Sequence, residues 1–197
     1  MEVTGIILAG GKSTRMGADK GLELLAGKPL ITYAIQALAP HCQNIIISTG
    51  SDAYSHFGFQ VVADEFPGIG PMGGVYSSLN KSKTLHNLVL SCDLPFVSSE
   101  LLAFILKQSV GFETAVPWYE NNYYEPLCGY YSKQITDTLF AFIECKNYKL
   151  PDVFEKIRIN KLRIDSNLPF FHDRLFMNVN SKEELAAARK ILQDGFF

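Results

Sequence analysis

Four short runs in this 197-residue chain carry no polar alternation: VTGIIL (3–8), NIIIS (44–48), FQVVA (59–63) and NLVLS (87–91). A strand with one wet face alternates apolar and polar residues. A strand that is apolar throughout has to be covered on both faces, which is the signature of a buried, mostly parallel sheet. Helical spacing fills the gaps between these runs. Pro29 to Leu38 reads as a helix with Pro29 at its first position. Gly68 to Gly74 reads as a loop, and Val75 to Leu79 continues as a helix. Ser98 to Gln108 is a further helix.

The second half adds strands at Thr114–Pro117, Leu127–Tyr131 and Arg158–Ile164, and helices at Lys133–Cys145 and Ser181–Leu192. Ser181 and Glu184 stand at capping-box spacing. Trp118 to Tyr124 (WYENNYY) reads as an edge loop or as part of a substrate surface. Alternating strands and helices without a repeat or linker predict one α/β domain over residues 1–197. It is Rossmann-like, with a mostly parallel sheet flanked by helices.

Bulk composition then excludes several functions. Hydrophobic residues make up 47% and charged residues 19%, an ordinary globular balance. A net charge of −2 offers no general attraction for nucleic acid or for a membrane surface, so any anion site has to be local. No apolar run approaches the roughly 18 residues that cross a bilayer. The N-terminus lacks the basic start of a signal peptide. Cys42, Cys92, Cys128 and Cys145 form no CxxC pair and read as reduced thiols, which predicts a cytoplasmic protein. The four histidines form no spaced pair.

One such local site lies directly after the first strand. Ile7 to Lys20 reads ILAGGKSTRMGADK. Glycines at 10, 11 and 17 let successive amide N–H groups face an anion without a side chain in the way, and Lys12, Arg15 and Lys20 add charge. Neither the P-loop pattern nor the dinucleotide fingerprint is present: the third glycine falls at Gly17 and is followed by Ala18. Physics alone leaves two readings, a nucleotide or phosphate loop of another kind, or a basic turn whose cations are simply solvated.

The same residues carry a resemblance. LAGGKSTRMGADK followed by GKPLI resembles the signature of Rossmann-like nucleotidyltransferases. Among these it is most similar to the molybdenum cofactor guanylyltransferases, the MobA family. Three more segments match in order: Asp64 followed by GPMGG (70–74), LSCDLPF (90–96) and NVNSKEEL (178–185). Between Lys107 and Ile164 the likeness rests on element order and on PLCGYY (126–131). The fold this implies is that of the nucleotide-diphospho-sugar transferases. The implied activity moves GMP from GTP to the terminal phosphate of molybdenum-molybdopterin, releasing pyrophosphate, with Mg²⁺ as cofactor. The implied partners are GTP, a molybdopterin-type substrate, and molybdoenzymes or insertion proteins that receive the product.

Residue by residue, the resemblance implies nucleotide contacts from Leu8, Ala9, Gly10, Gly11, Lys20, Asp64, Gly74 and Asp93. Lys20, Arg15 and Asp93 would be the catalytic groups. Lys20 and Arg15 hold phosphates, with Lys12 beside them, and Asp93 holds the metal. Arg15 has an alternative role, pairing with Asp19. Asp64 is placed to accept from guanine N1–H and its amine, or else to form a turn. Gly73 and Gly74 bring backbone close to base or ribose, or simply make a tight loop. Asn178 and Asn180 flank Val179 and would face the second substrate together, although Asn180 also suits a helix cap. Ser48 and Thr49 are both candidates for the polar contact after the second strand. Two rival functions stand beside this one: a related transferase using CTP or UTP on a pterin or sugar phosphate, and a non-catalytic nucleotide-binding adaptor.

Overall fold

The continuous apolar strands divide their side chains between two cores. In β1 (Val3–Leu8), Val3 and Ile7 point into one core, while Ile6 and Leu8 point into the other. In β4 (Asn44–Ser48), Ile45 and Ile47 likewise oppose Ile46. Each fully buried aliphatic side chain contributes about 1.5–3 kcal/mol, so both faces need a helical cover. The computed structural model supplies that cover and describes residues 1–10, 19–119 and 123–194. On one face lie α1 (Leu30–Leu38) and α3 (Ser99–Gln108). On the other lie α2 (Pro71–Lys81), α4 (Thr136–Glu144) and α5 (Leu150–Phe154).

The remaining strands are β5 (Gln60–Val62), β6 (His86–Ser91), β7 (Thr114–Tyr119), β8 (Tyr123–Tyr124), β9 (Cys128–Ser132) and β10 (Ile159–Arg163). The eight-stranded sheet has the order β10-β7-β9-β6-β1-β4-β5, with β8 paired to β7. It is parallel except at β9, which runs antiparallel to both β6 and β7, and at β8, antiparallel to β7. A mostly parallel sheet flanked by helices is therefore present.

Some boundaries differ from expectation. Pro29 is not the first helical residue. It precedes α1 with extended ψ, because it ends β3 (Lys28–Pro29), the return strand of a hairpin from β2 (Leu24–Leu25). Ala26 and Gly27 both take positive φ in its two-residue turn. A non-glycine residue is disfavoured there, so the sequence carries no Asn-Gly or Asp-Gly signal for the hairpin. Residues 71–74 are helix rather than loop, with Pro71 at the first turn of α2. A third core of Leu25, Leu30, Phe96, Val179, Leu185 and Ala188 seats α6 (Lys182–Gln193) on this hairpin. Ser181 caps α6 by accepting from Glu184 N–H at 3.1 Å. Glu184 returns a bond to the N–H of Asn180 rather than to that of Ser181 itself.

Gly73 sits in the first turn of α2, where a Cβ would come within 2.8 Å of the Phe66 carbonyl oxygen and 3.1 Å of Ile69. Backbone cannot yield as a side chain does. Gly73→Ala therefore destabilises the chain by about 1–3 kcal/mol, read as a lower midpoint in urea unfolding at unchanged slope.

Candidate active site

Register brings the site together. Leu8 is aligned with Ser48 on one neighbour and with Ser91 on the other, so β4, β1 and β6 end level. The ladder runs one step further, with Ala9 N–H donating to Ser48 O (3.0 Å) and Cys92 N–H to Leu8 O (3.1 Å). From β1 the chain first builds outward to β4 and β5, then returns to the other side of β1 as β6. Ligands of open α/β sheets bind at such a reversal, beyond the carboxyl ends of the strands.

A cavity of ≈610 Å³ lies there, lined by Leu8, Gly10, Lys20, Ser48, Asp64, Gly68, Gly70, Pro71, Gly74, Ser91, Asp93 and Leu127. The size suits a nucleotide. Asp93 stands in the turn after β6, closed by Leu94 N–H on Ser91 O. It is 6% exposed. Its Oδ2 receives the Lys20 ammonium at 2.5 Å. Its Oδ1 is buried and has no hydrogen-bond partner among the described residues.

Lys20 also donates to Asn180 Oδ1 at 2.7 Å. The backbone arranges this, since Val179 N–H donates to the Asp93 carbonyl at 2.9 Å while the Val179 side chain sinks into the third core. Asn178 takes a different course. Its amide donates to Phe176 O at 3.4 Å and it does not line the cavity.

Asp64 follows β5, half-buried, and Ser48 Oγ donates to its Oδ1 over a long 3.4 Å. Burial pushes the Asp64 carboxyl above its ordinary range, and the Ser48 hydroxyl offsets part of that. Of the two polar candidates after β4, Ser48 lines the cavity, while Thr49 Oγ1 accepts from Ser51 N–H at 3.2 Å. Gly74 lines the cavity and Gly73 does not. A Cβ on Gly74 would lie 2.8 Å from Ser48 Oγ, 3.2 Å from Leu8 and 3.4 Å from Asp64 Oδ1, so this glycine lets α2 close on the strand ends.

Gly11, Lys12, Arg15 and Gly17 lie outside the described residues, so the expectations for them have no structural counterpart here. Asp19, the alternative partner for Arg15, accepts a hydrogen bond from the Tyr54 hydroxyl.

One carboxylate was not singled out in the sequence. Glu125, just before β9, is 7% exposed. Burial, with the neighbouring Asp93 charge adding to it, pushes its carboxyl up to about 7. Its position directly before PLCGYY was the available signal. A folded value above the ordinary 4.5 means that the folded state binds the proton more tightly. The stabilisation is complete below the unfolded value and is lost as pH rises through about 7. Glu125→Gln removes this dependence. Urea midpoints at pH 5 and pH 8 should differ less in the variant, which is the more stable of the two proteins at pH 8.

The donor set can be tested against a metal. Among the described residues no group of three or more His, Cys, Asp or Glu could hold an ion. A buried carboxylate oxygen without a partner suits Mg²⁺, which takes one or two protein carboxylates and completes its shell with phosphate oxygens and water. Asp93 Oδ1 fits that role. Among the described residues the cavity lining holds neither cysteine nor histidine.

Fold and site together are those of a nucleotide-handling α/β enzyme. The comparisons with known proteins agree. The model of the MobA-like NTP transferase domain matches residues 5–159, and this chain belongs to that family of nucleotidyltransferases. A protein of Flavobacterium johnsoniae, named a probable molybdenum cofactor guanylyltransferase, is 35% identical over 183 residues, covering 93% of this chain and 94% of its own length. One of the same name from Thermococcus gammatolerans is 36% identical over 193 residues, covering 94% and 98%. The crystal structure of molybdopterin-guanine dinucleotide biosynthesis protein A from Archaeoglobus fulgidus superposes with a TM-score of 0.81 at 23% identity, over 97% of this chain and 99% of that one. That last likeness concerns the fold.

Proposed function

We propose that this chain transfers GMP from GTP to the terminal phosphate of molybdenum-molybdopterin, forming a guanine dinucleotide and releasing pyrophosphate. The observation that carries the proposal is the junction of Lys20, Asp93 and Asn180 at the sheet's reversal point, with one Asp93 oxygen left over. The names borne by the relatives supply the nucleotide and the acceptor.

The acceptor phosphate oxygen attacks the α-phosphorus of GTP, and the bond to the bridging oxygen of pyrophosphate breaks. Lys20 neutralises charge on the phosphates as pyrophosphate departs. Its ammonium is held by Asp93 on one side and by Asn180 on the other, so it is aligned before substrate arrives. Asp93 Oδ1 would hold Mg²⁺, whose part is to polarise the phosphoryl oxygens. Gly10 and the start of α2 line the same cavity, and backbone amides there would supply neutral donors. Asn180, bound to Lys20, would face the acceptor side, and Arg15 would add a second cation to the phosphates.

Asp64 gives the base preference. Its carboxylate accepts from guanine N1–H and the exocyclic amine, a pair that adenine and the pyrimidines do not present. Asp64→Ala therefore weakens GTP binding by about 10²-fold while leaving CTP binding within a few-fold, since two bonds to a charged acceptor are lost. Protonation removes the acceptor, so GTP affinity falls as pH drops through the raised Asp64 value, and the variant shows no such fall. Calorimetry with GTP, CTP, UTP and ATP, each with and without Mg²⁺, tests the reading. Selective GTP binding supports it. Selective CTP or UTP binding moves the function to the related transferases.

A further inference from the structure

Lys20 reaches Asp93 and Asn180 from a turn of only three residues, Lys20–Leu22. Leu22 N–H donates to Asp19 O at 3.0 Å, and Glu23 N–H to Lys20 O at 3.2 Å. A single 3-10 turn of this kind has little stability of its own. Lysine is also among the side chains with most rotamer freedom, so an aligned ammonium needs a fixed backbone beneath it. Contacts from outside the turn have to fix it.

Tyr54 makes those contacts. It lies in a second 3-10 turn, Asp52–Phe57, between β4 and β5. Ser51 caps that turn by accepting from Ala53 N–H at 3.3 Å. The Tyr54 ring is fully buried in the core covered by α1 and α3. Its hydroxyl donates to Asp19 Oδ1, and Gly21 N–H approaches the same oxygen. One hydroxyl thus holds the residues on both sides of Lys20. Burial, with the Asp19 carboxylate adding to it, pushes the hydroxyl up, so it stays a donor. Gly21 is buried against the ring, where a Cβ would lie 3.2 Å from Tyr54 Cε1 and Cζ. Neither Tyr54 nor Asp19 lines the nucleotide cavity.

We infer that Tyr54 is a positioning residue for Lys20, acting through Asp19 and Gly21. Its hydroxyl locks the short turn, and the locked turn aims the ammonium at the point where Asp93 and Asn180 converge. Asp19 serves as the acceptor for this hydroxyl and does not touch substrate. The inference rests on the part given to Lys20 in guanylyl transfer.

The test reads the lysine directly. A limiting N-hydroxysuccinimide acetyl ester is added without substrate, and acetylation of Lys20 is followed by peptide mass spectrometry. The proteins are wild type, Tyr54→Phe, which removes one oxygen, Asp19→Ala, which removes the acceptor, and Asp19→Asn, which keeps an oxygen for the hydroxyl. Urea unfolding of each reports folding, and Asp19→Ala, at a half-buried position, carries the test should Tyr54→Phe fail to fold. The expected result is acetylation about tenfold faster in Tyr54→Phe and Asp19→Ala, and within about twofold of wild type in Asp19→Asn. Turnover falls about tenfold in the same two variants with the KM for GTP nearly unchanged, and Tyr54→Phe slows a Lys20→Met background no further. Unchanged acetylation in Tyr54→Phe and Asp19→Ala would overturn the inference whatever reaction the protein performs. Fast acetylation in Asp19→Asn would also overturn it, because Asp19 would then act through its charge. Faster acetylation in the variants of a protein that transfers no GMP would keep this inference and lose the function proposed above. GMP transfer by a protein whose Lys20 acetylation is indifferent to both substitutions would do the reverse.

Discussion

Asp93→Asn lowers turnover by about 10³-fold while the chain stays folded and still binds nucleotide. The substitution keeps shape and removes charge. In the native protein one carboxylate oxygen is bound to the Lys20 ammonium and the other is buried without a partner. An amide can occupy the same space but offers only one oxygen and no negative charge, so the cation that should sit on Oδ1 is lost. The loss belongs in kcat, because Asp93 acts on charge that develops as pyrophosphate leaves. Pyrophosphate release measured over a range of Mg²⁺ concentrations checks this. The variant should need far more metal and should not recover the wild-type plateau. A kcat within tenfold of wild type would remove Asp93 from the chemistry.

Lys20→Met has the next largest effect, about 10²-fold in kcat. Methionine keeps the unbranched stem and removes the ammonium. That leaves Asp93 Oδ2 and Asn180 Oδ1 facing each other, two acceptors without the donor they share. Lys20→Arg should rescue poorly, because the two acceptors converge on one compact nitrogen and a planar fork does not fit between them. The two residues act as a unit, so the double variant Lys20→Met with Asp93→Asn should be little slower than Asp93→Asn alone. Single-turnover rates on the four proteins of this cycle decide the point. Losses that multiply would mean that Lys20 and Asp93 serve separate steps.

Much of the sheet was legible before any coordinates. The strands β1 and β4 fall at the expected residues because each is a short apolar run with buried residues on both faces. The Ser181 cap was visible for a local reason, since its hydroxyl accepts from an N–H three residues on. The β2–β3 hairpin was not legible, because its turn is Ala-Gly and gains its geometry from the α6 core packed over it. Nor was the antiparallel course of β9, since an apolar run does not reveal its direction.

The site shows the same division. Lys20, Asp64 and Asp93 could be singled out from motif order, and they line one cavity. That Lys20 joins Asp93 to Asn180 could not be read, because those contacts cross 73 and 160 residues of chain. The two asparagines were expected to act alike. Their partners separate them: Asn180 accepts from Lys20, and Asn178 donates to a carbonyl in its own segment. Glu125 had only its place before PLCGYY to mark it. Its interest comes from burial, which the linear sequence does not display.

The most direct measurement is transfer itself. GTP labelled at the α-phosphate is incubated with the purified protein, Mg²⁺ and molybdenum-loaded molybdopterin, and the products are separated. The expected result is label in a guanine dinucleotide of the pterin, one pyrophosphate released per product formed, and no transfer from labelled CTP at the same concentration. Label that moves from CTP and not from GTP, or that stays in the nucleotide although the acceptor is bound, would contradict it.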